Sequence, residues 1–334
     1  MPASRRAATD PTVDIGTTAG FEPTVDLAIV GPTASGKTAL ALAMADRVER
    51  AELVSVDSMA VYRGLDIGTE TPHTTGNWHL VDIVDPGEDF SVARFQAAAA
   101  GVLSAIAKRG HLAVLVGGTG LYHRAVLDGL ELPGRYPEVR AELEAEAATG
   151  GGVARLYERL AVADPQAASR IEPDNSRRVV RALEVVLGSG RRFSGFGKGL
   201  TDYPQNAARL AGLALDRGEL DRRLGARLDA QLAAGWVDEV AGLARRGGLS
   251  RTARQAIGYD ELLRHVAGSL SLEEAKASIL RRLKSFARRQ ESWFRRDPRV
   301  VWFDATAAGL ADAVLAWWSS PVAEVPAERE TGPQ

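Results

Sequence analysis

The stretch Gly31-Pro32-Thr33-Ala34-Ser35-Gly36-Lys37-Thr38 constrains this chain more than any other part of it. An apolar run at 27–30 leads in and an alanine- and leucine-rich run at 39–45 leads out, so the stretch reads as strand, tight turn and helix start. In that context G-x-x-x-x-G-K-[ST] is a phosphate-binding loop. Its two glycines let backbone N–H groups turn inward around phosphate oxygens, the helix N-terminus adds partial positive charge, and Lys37 adds a full one. The Thr38 hydroxyl can join a magnesium ion that bridges the same oxygens. Gly31, Pro32, Thr33, Ala34, Ser35, Gly36, Lys37 and Thr38 are therefore the candidate diphosphate-binding residues, with Thr38 the candidate metal ligand. The loop implies a bound di- or triphosphate and leaves the reaction open.

The segments around the loop set the fold class. A strand at 52–58 carries Asp57 at its end, one at 111–116 runs into Gly117-Gly118-Thr119-Gly120, and others are expected at 209–215 and 300–304, with a short additional candidate at 79–83. Helices separate them. Ser91 caps one that stops at Gly110, Asp216 caps one at 217–233, two more are expected at 236–245 and 252–266, and a long one opens on Ser271 with Glu274 three residues on, a capping box. Strands alternating with helices imply an α/β fold, a P-loop NTPase-like parallel sheet flanked by helices. Such sheets bind ligands at the carboxyl ends of their strands, which should bring the loop, Asp57 and Thr119 together. From 133 to 205 the pattern is helical, at 137–148, 153–160 and 175–187, with no strand. The expected organisation is a catalytic core of 24–132 and 206–320, a helical insertion domain at 133–205, and polar mobile tails at 1–23 and 321–334.

A chain of 334 residues is long for one compact core, which suits a core with an insertion. Its formal charge of −2 argues against a uniformly basic nucleic-acid binder but permits a local basic surface. The long helix carries one: Arg281, Arg282, Lys284, Arg288, Arg289, Arg295, Arg296 and Arg299 stand against only Glu291 and Asp297. They spread opposite an apolar stripe of Ile279, Leu283, Phe286 and Trp293. Arg177, Arg178 and Arg181 make a second cluster in the insertion, with Arg191 and Arg192 beyond. One such face alone reads as solvated surface, whereas two on a near-neutral chain point to a polyanion, and arginine, which stacks and forks, suits RNA. The chain has no cysteine, which excludes a disulfide framework and a thiolate zinc site, and His73, His79, His111, His123 and His265 lack ligand spacing. No run approaches the ~20 apolar residues of a membrane span. A cytoplasmic location, no membrane partner and a monomer are the expectations.

The chemistry turns on the second glycine-rich strand end. In many P-loop NTPases a later strand ends in an acidic magnesium-binding residue; here it ends in Thr119, whose hydroxyl suits hydrogen bonding to a departing diphosphate. A small-molecule P-loop kinase is the alternative, with Asp57 activating a hydroxyl and the insertion serving as a lid.

Taken together, Gly31 to Thr38, Val56-Asp57-Ser58-Met59, Val61-Tyr62-Arg63-Gly64-Leu65-Asp66-Ile67-Gly68-Thr69 and Val116-Gly117-Gly118-Thr119-Gly120-Leu121-Tyr122 closely resemble the successive motifs of the tRNA dimethylallyltransferases, the tRNA isopentenyltransferase family. Arg181-Ala182-Leu183-Glu184-Val185, Ile257-Gly258-Tyr259 and Arg288-Arg289-Gln290-Glu291-Ser292-Trp293-Phe294 continue the resemblance, in order, from about residue 25 to 304. It implies transfer of a dimethylallyl group from dimethylallyl diphosphate to the exocyclic N6 of the adenosine just 3′ of the anticodon, with Mg2+ and with the tRNA anticodon stem-loop as partner. By the same resemblance Asp57 is the general base, with Lys37, Thr119 and Arg223 also catalytic. Arg222 and Arg227 are rivals of Arg223 for the diphosphate. Asp57, Ser58, Met59, Ala60, Arg140, Arg177, Arg178, Arg181, Gln255, Ile257 and Gly258 fall in segments that contact tRNA in that family. Trp78, where many members carry a polar residue, and Asp260, where others carry arginine, depart from the pattern. The zinc finger that follows this pattern in eukaryotic relatives is not found, which implies the bacterial type.

Overall fold

The structure, a computed structural model, describes residues 25–72, 78–196, 200, 202–205 and 208–320. Six parallel strands form one sheet in the order β3-β2-β4-β1-β5-β6, where β1 is Leu27–Val30, β2 Ala51–Ser55, β3 Trp78–His79, β4 Leu112–Gly117, β5 Arg209–Ala214 and β6 Val300–Asp304. Of the short candidate strand at 79–83 only His79 is in a strand, β3 at the edge beside β2; residues 80–83 leave the sheet, with Leu80 and Asp82 at positive φ. Because β1 lies between β4 and β5, the loop leaving its carboxyl end opens at the centre of the sheet.

Side chains alternate across the pleat, and each face has its own cover. Leu27 and Ile29 of β1 point with Leu53, Val114, Val116 and Leu213 toward the helices Lys37–Ala45 and Leu310–Ser319. Ala28 and Val30 point the other way, with Val54, Val56 and Leu115, toward Phe95 and Leu103 of the helix Val92–Lys108 and Ile279 and Phe294 of the helix Leu272–Phe294. Ser91, Asp216 and Ser271 cap their helices as expected; the Ser271 hydroxyl accepts from the Glu274 N–H at 3.2 Å while the Glu274 carboxylate accepts from the Ser271 N–H at 2.9 Å.

Between Pro137 and Phe196 every regular element is a helix, and the segment buries a cluster of its own around Leu143, Leu156, Leu160, Val179 and Leu183. One expected helix is broken. Residues 252–266 divide into a 3₁₀ turn, Ala253–Gln255, and the helix Tyr259–Val266, because Gly258 between them takes φ +98°. Its Cα lies against the Trp236 ring, where a Cβ would sit 2.2 Å from ring carbon, so only glycine fits. Trp236 presses equally on Gly68, and its ring meets that of Tyr259 edge to face with centroids 5.6 Å apart. Two segments distant in the chain, one at Trp236 and one at Gly258–Tyr259, thus lock the short helix Asp66–Thr69 in place. Among the described residues no helix is long and apolar enough to cross a membrane.

Candidate active site

The phosphate loop has the geometry its sequence calls for. Gly31 at φ +143° approaches β5 so closely that a Cβ would meet the Leu213 carbonyl at 3.0 Å, and Gly36 at φ +94° turns the chain into the helix. Ala34 between them holds φ +64°, a left-handed conformation that stores ~1 kcal/mol or more in a residue with a Cβ. The helix begins at Lys37 with no side-chain cap, so its first N–H groups stay open to an anion. Ser35 is buried and its hydroxyl has no hydrogen-bond partner among the described residues.

The loop forms one wall of a cleft of about 560 Å³. Lys37, Thr38, Asp57, Ala60, Arg223, Arg227 and Gln290 all line it, as do Glu70, Pro72, Trp78 and Phe286. Lys37 Nζ donates to the Pro32 carbonyl at 2.6 Å. Burial, reinforced by the nearby Arg227 charge and opposed by Asp57 and Glu70, brings its pKa down to about 8. The structure places the three rival arginines differently. Arg222 is exposed and paired with Glu219; Arg223 lines the cleft with its Nε 2.7 Å from Glu219; Arg227 is the deepest, donating to Thr33 Oγ1 at 3.0 Å.

Asp57 sits two residues beyond β2, the strand ending at Ser55 rather than at Ser58. Its Oδ1 accepts from the N–H groups of Met59 at 2.8 Å and Ala60 at 3.4 Å, an Asx turn that fixes the carboxylate. Its Oδ2 has no partner among the described residues and is the oxygen available to a substrate. Thr119 follows Gly117 and Gly118, which line the cleft, but is not itself among the lining residues; its hydroxyl accepts from the Ser58 N–H at 3.2 Å. One peptide therefore ties the carboxylate turn to the threonine strand end.

Gln290 lies in the motif Arg288 to Phe294, and its role emerges only from the fold. Its amide oxygen accepts from the Thr33 N–H at 2.8 Å and its amide nitrogen donates to the Gly118 carbonyl at 3.0 Å. The long helix thus stitches the phosphate loop to the end of β4. The glycines there answer to the same helix: a Cβ on Gly118 would lie 2.1 Å from Gln290 and one on Gly120 2.1 Å from the Trp293 ring. His123 sits beneath, buried, with its Nε2 3.2 Å from the Gly117 carbonyl; burial drives its pKa down to about 3, so it is neutral.

The basic surfaces are more mixed than their residue counts. Carboxylates neutralise much of this basic run: on the helix Leu272–Phe294 Arg282 pairs with Glu261 and Lys284 with Asp221, while beyond its end Arg295 pairs with Glu291 and Arg299 with both Asp128 and Asp297. Arg281, Arg288, Arg289 and Arg296 are exposed with no ion pair among the described residues. In the helix Ser176–Ser189, Arg177 and Arg178 are likewise exposed and unpaired among the described residues. Arg181 instead donates to the carbonyls of Pro133 and Gly134 and pairs with the buried Glu184, which Arg140 also reaches, at 3.3 Å. Gln255 is exposed, Ser58, Met59 and Ile257 are half-buried, and Gly258 is buried under Trp236.

For a divalent cation the protein supplies little: among the described residues no group of three or more acidic or histidine side chains is arranged to hold a metal ion. The Thr38 hydroxyl, which lines the cleft, would hold a divalent cation there and leave its other coordination positions to ligands outside the protein.

Comparison with known proteins bears on this geometry. The sequence model of the family described as IPP transferase matches residues 60–297. A tRNA dimethylallyltransferase of Salinispora arenicola is 46% identical over 297 residues, covering 87% of this chain and 85% of the relative. One from Bifidobacterium animalis subsp. lactis is 42% identical over 299 residues, with the same shares. Among solved structures, the full-length tRNA isopentenylpyrophosphate transferase of Bacillus halodurans superposes with a TM-score of 0.62 at 38% identity, over 87% of this chain and 93% of that one. A eukaryotic dimethylallyltransferase acting on tRNA shares the fold, with a TM-score of 0.70 at 23% identity over 87% of this chain and 76% of that one.

Proposed function

The chain belongs to the IPP transferase family, and from that premise we propose that it transfers a dimethylallyl group from dimethylallyl diphosphate to the exocyclic N6 of the adenosine 3′-adjacent to the anticodon of tRNA, releasing diphosphate. The observation that carries this reading is a single cleft with an anion seat at one side and a half-free carboxylate at the other. A kinase reading finds no support among the relatives.

The diphosphate lies against the open N-terminus of the helix Lys37–Ala45, with Lys37, Arg223 and Arg227 around it. Charge grows on this group as the allylic C–O bond breaks, and donors fixed in advance stabilise it without reorganising. A magnesium ion on the Thr38 hydroxyl supplies further positive charge to the same oxygens when bound. Adenine N6 is a poor nucleophile because its lone pair is delocalised into the ring. As the N6–C bond forms, the N6 proton passes to Asp57 Oδ2 and the C–O electron pair leaves with the diphosphate. Thr119, tied to the Asp57 turn through Ser58, keeps its hydroxyl proton to donate toward the reacting groups. N6 in a stacked loop is closed to in-line attack, so the base must be flipped into the cleft. Arg177 and Arg178 on the insertion and Arg281, Arg288, Arg289 and Arg296 on the core hold the RNA backbone.

Incubating the protein with labelled dimethylallyl diphosphate, magnesium and unmodified tRNA tests this, with ATP as control donor. Label is expected in tRNA, on the adenosine after the anticodon. Phosphoryl transfer from ATP, or no transfer to tRNA, contradicts it.

A further inference from the structure

Within the cleft the Arg227 guanidinium already faces a carboxylate: Glu70 Oε1 lies 3.0 Å from its Nε. The contact is poorly aimed. Nε is buried and finds no aligned hydrogen-bond acceptor among the described residues, Glu70 included, although Nη1 is well engaged with Thr33. Arg227 is 16% exposed and Glu70 54%, so the cation is fixed and the carboxylate is the partner free to leave. The backbone beneath Glu70 is held firmly. Glu239 accepts from the N–H groups of Asp66 and Ile67 at 3.0 and 2.7 Å, and Gln231 donates to the Ile67 carbonyl at 2.7 Å. Glu70 itself closes that short helix at φ +53°, ψ +47°, a left-handed position unfavourable for a residue with a Cβ. A strained residue that sends its side chain into the cleft calls for a reason beyond the turn.

Charge supplies one. Two cations, Lys37 and Arg227, lie close together in the seat, and two anions, Asp57 and Glu70, lie beside them. Asp57 is committed to the incoming base. Glu70 has no such task, and once a diphosphate is seated its charge only opposes the ligand. We infer that Glu70 is a displaceable counterion of the diphosphate seat, pairing with Arg227 until the diphosphate takes its place, and that it sets how tightly both the donor and the released diphosphate are held. This rests on the reading of the cleft as a diphosphate seat and adds a residue that governs its affinity. With no ligand bound, Glu70 relieves the repulsion between the two cations. With ligand bound it turns to water, and the lost pairing weakens the complex and speeds product departure.

Calorimetric titration of inorganic pyrophosphate, with magnesium, into the full chain tests the inference. Glu70→Gln and Glu70→Ala should each lower the dissociation constant roughly three- to tenfold, the worth of one partly exposed charge pair. Raised salt should shrink the difference between variant and parent, because it screens the charge that was removed. Inhibition of turnover by added pyrophosphate should strengthen by the same factor. Should either variant fold poorly, Glu70→Asp, which keeps the charge but withdraws it by one methylene, should bind between parent and Glu70→Gln. An unchanged or weakened affinity in Glu70→Gln overturns the inference while leaving the seat intact. If the parent protein binds no pyrophosphate, the seat itself is lost and the inference goes with it.

Discussion

The phosphate loop and the arginine-rich surfaces are both cationic, yet they are built in opposite ways. In the seat each cation has a fixed neighbour: Lys37 on the Pro32 carbonyl, Arg227 on Thr33, and the loop itself stitched to β4 by Gln290. On the surfaces, Arg177, Arg178, Arg281, Arg288 and Arg296 reach into solvent with no ion pair among the described residues. A buried, preorganised charge acts on the bond that breaks. An exposed one acts through counterions, adding affinity in proportion to the phosphates it neutralises. The seat should therefore govern turnover and the surfaces should govern salt-dependent RNA binding.

The sharpest way to break this contrast is in the seat. Lys37→Ala should lower kcat/KM for dimethylallyl diphosphate by at least ~10²–10³-fold, the usual cost of removing a transition-state donor, with a far smaller change in tRNA affinity measured by filter binding. Next comes the stitch. Gln290→Ala leaves the Thr33 N–H and the Gly118 carbonyl without their partner, and urea unfolding should register a loss of about 1–3 kcal/mol together with a raised KM for the donor. A third test uses pH. With Lys37 lowered to about 8, its charge is complete below that value and fades above it, so pyrophosphate affinity should fall up to about tenfold between pH 8 and 9. Lys37→Arg, charged throughout, should lose that part of the dependence. The smallest effect belongs to the surface: Arg178→Ala should weaken tRNA binding a few-fold and reduce the slope of log K against log salt by roughly one.

The same contrast explains what could be read from the residues alone. The loop, the strands, the Ser91, Asp216 and Ser271 caps and the place of Asp57 follow from local patterns, because each is fixed by residues within a few positions of one another. Gln290 could not be assigned that way, since its partner Thr33 is 257 residues distant. Nor could the break at Gly258, which Trp236 imposes from another helix. The basic excess counted along the long helix overstated its free charge because Glu261, Asp221 and Asp128 come from elsewhere in the chain. Arg181 and Arg140, which the resemblance places among RNA-contacting residues, converge on the buried Glu184, and Arg181 also holds the carbonyls of Pro133 and Gly134, tying the helices Pro137–Ala147 and Ser176–Ser189 to the segment before them.

The central claim is that one cleft seats a departing diphosphate and offers Asp57 to the incoming base. Asp57→Asn tests it most directly, because the amide oxygen can still accept from Met59 and Ala60 and keep the turn, while the basic oxygen is gone. In a rapid-quench single turnover with saturating tRNA and labelled dimethylallyl diphosphate, the account predicts a rate about 10²–10⁴-fold below the parent with pyrophosphate still bound. A single-turnover rate equal to the parent's would contradict it.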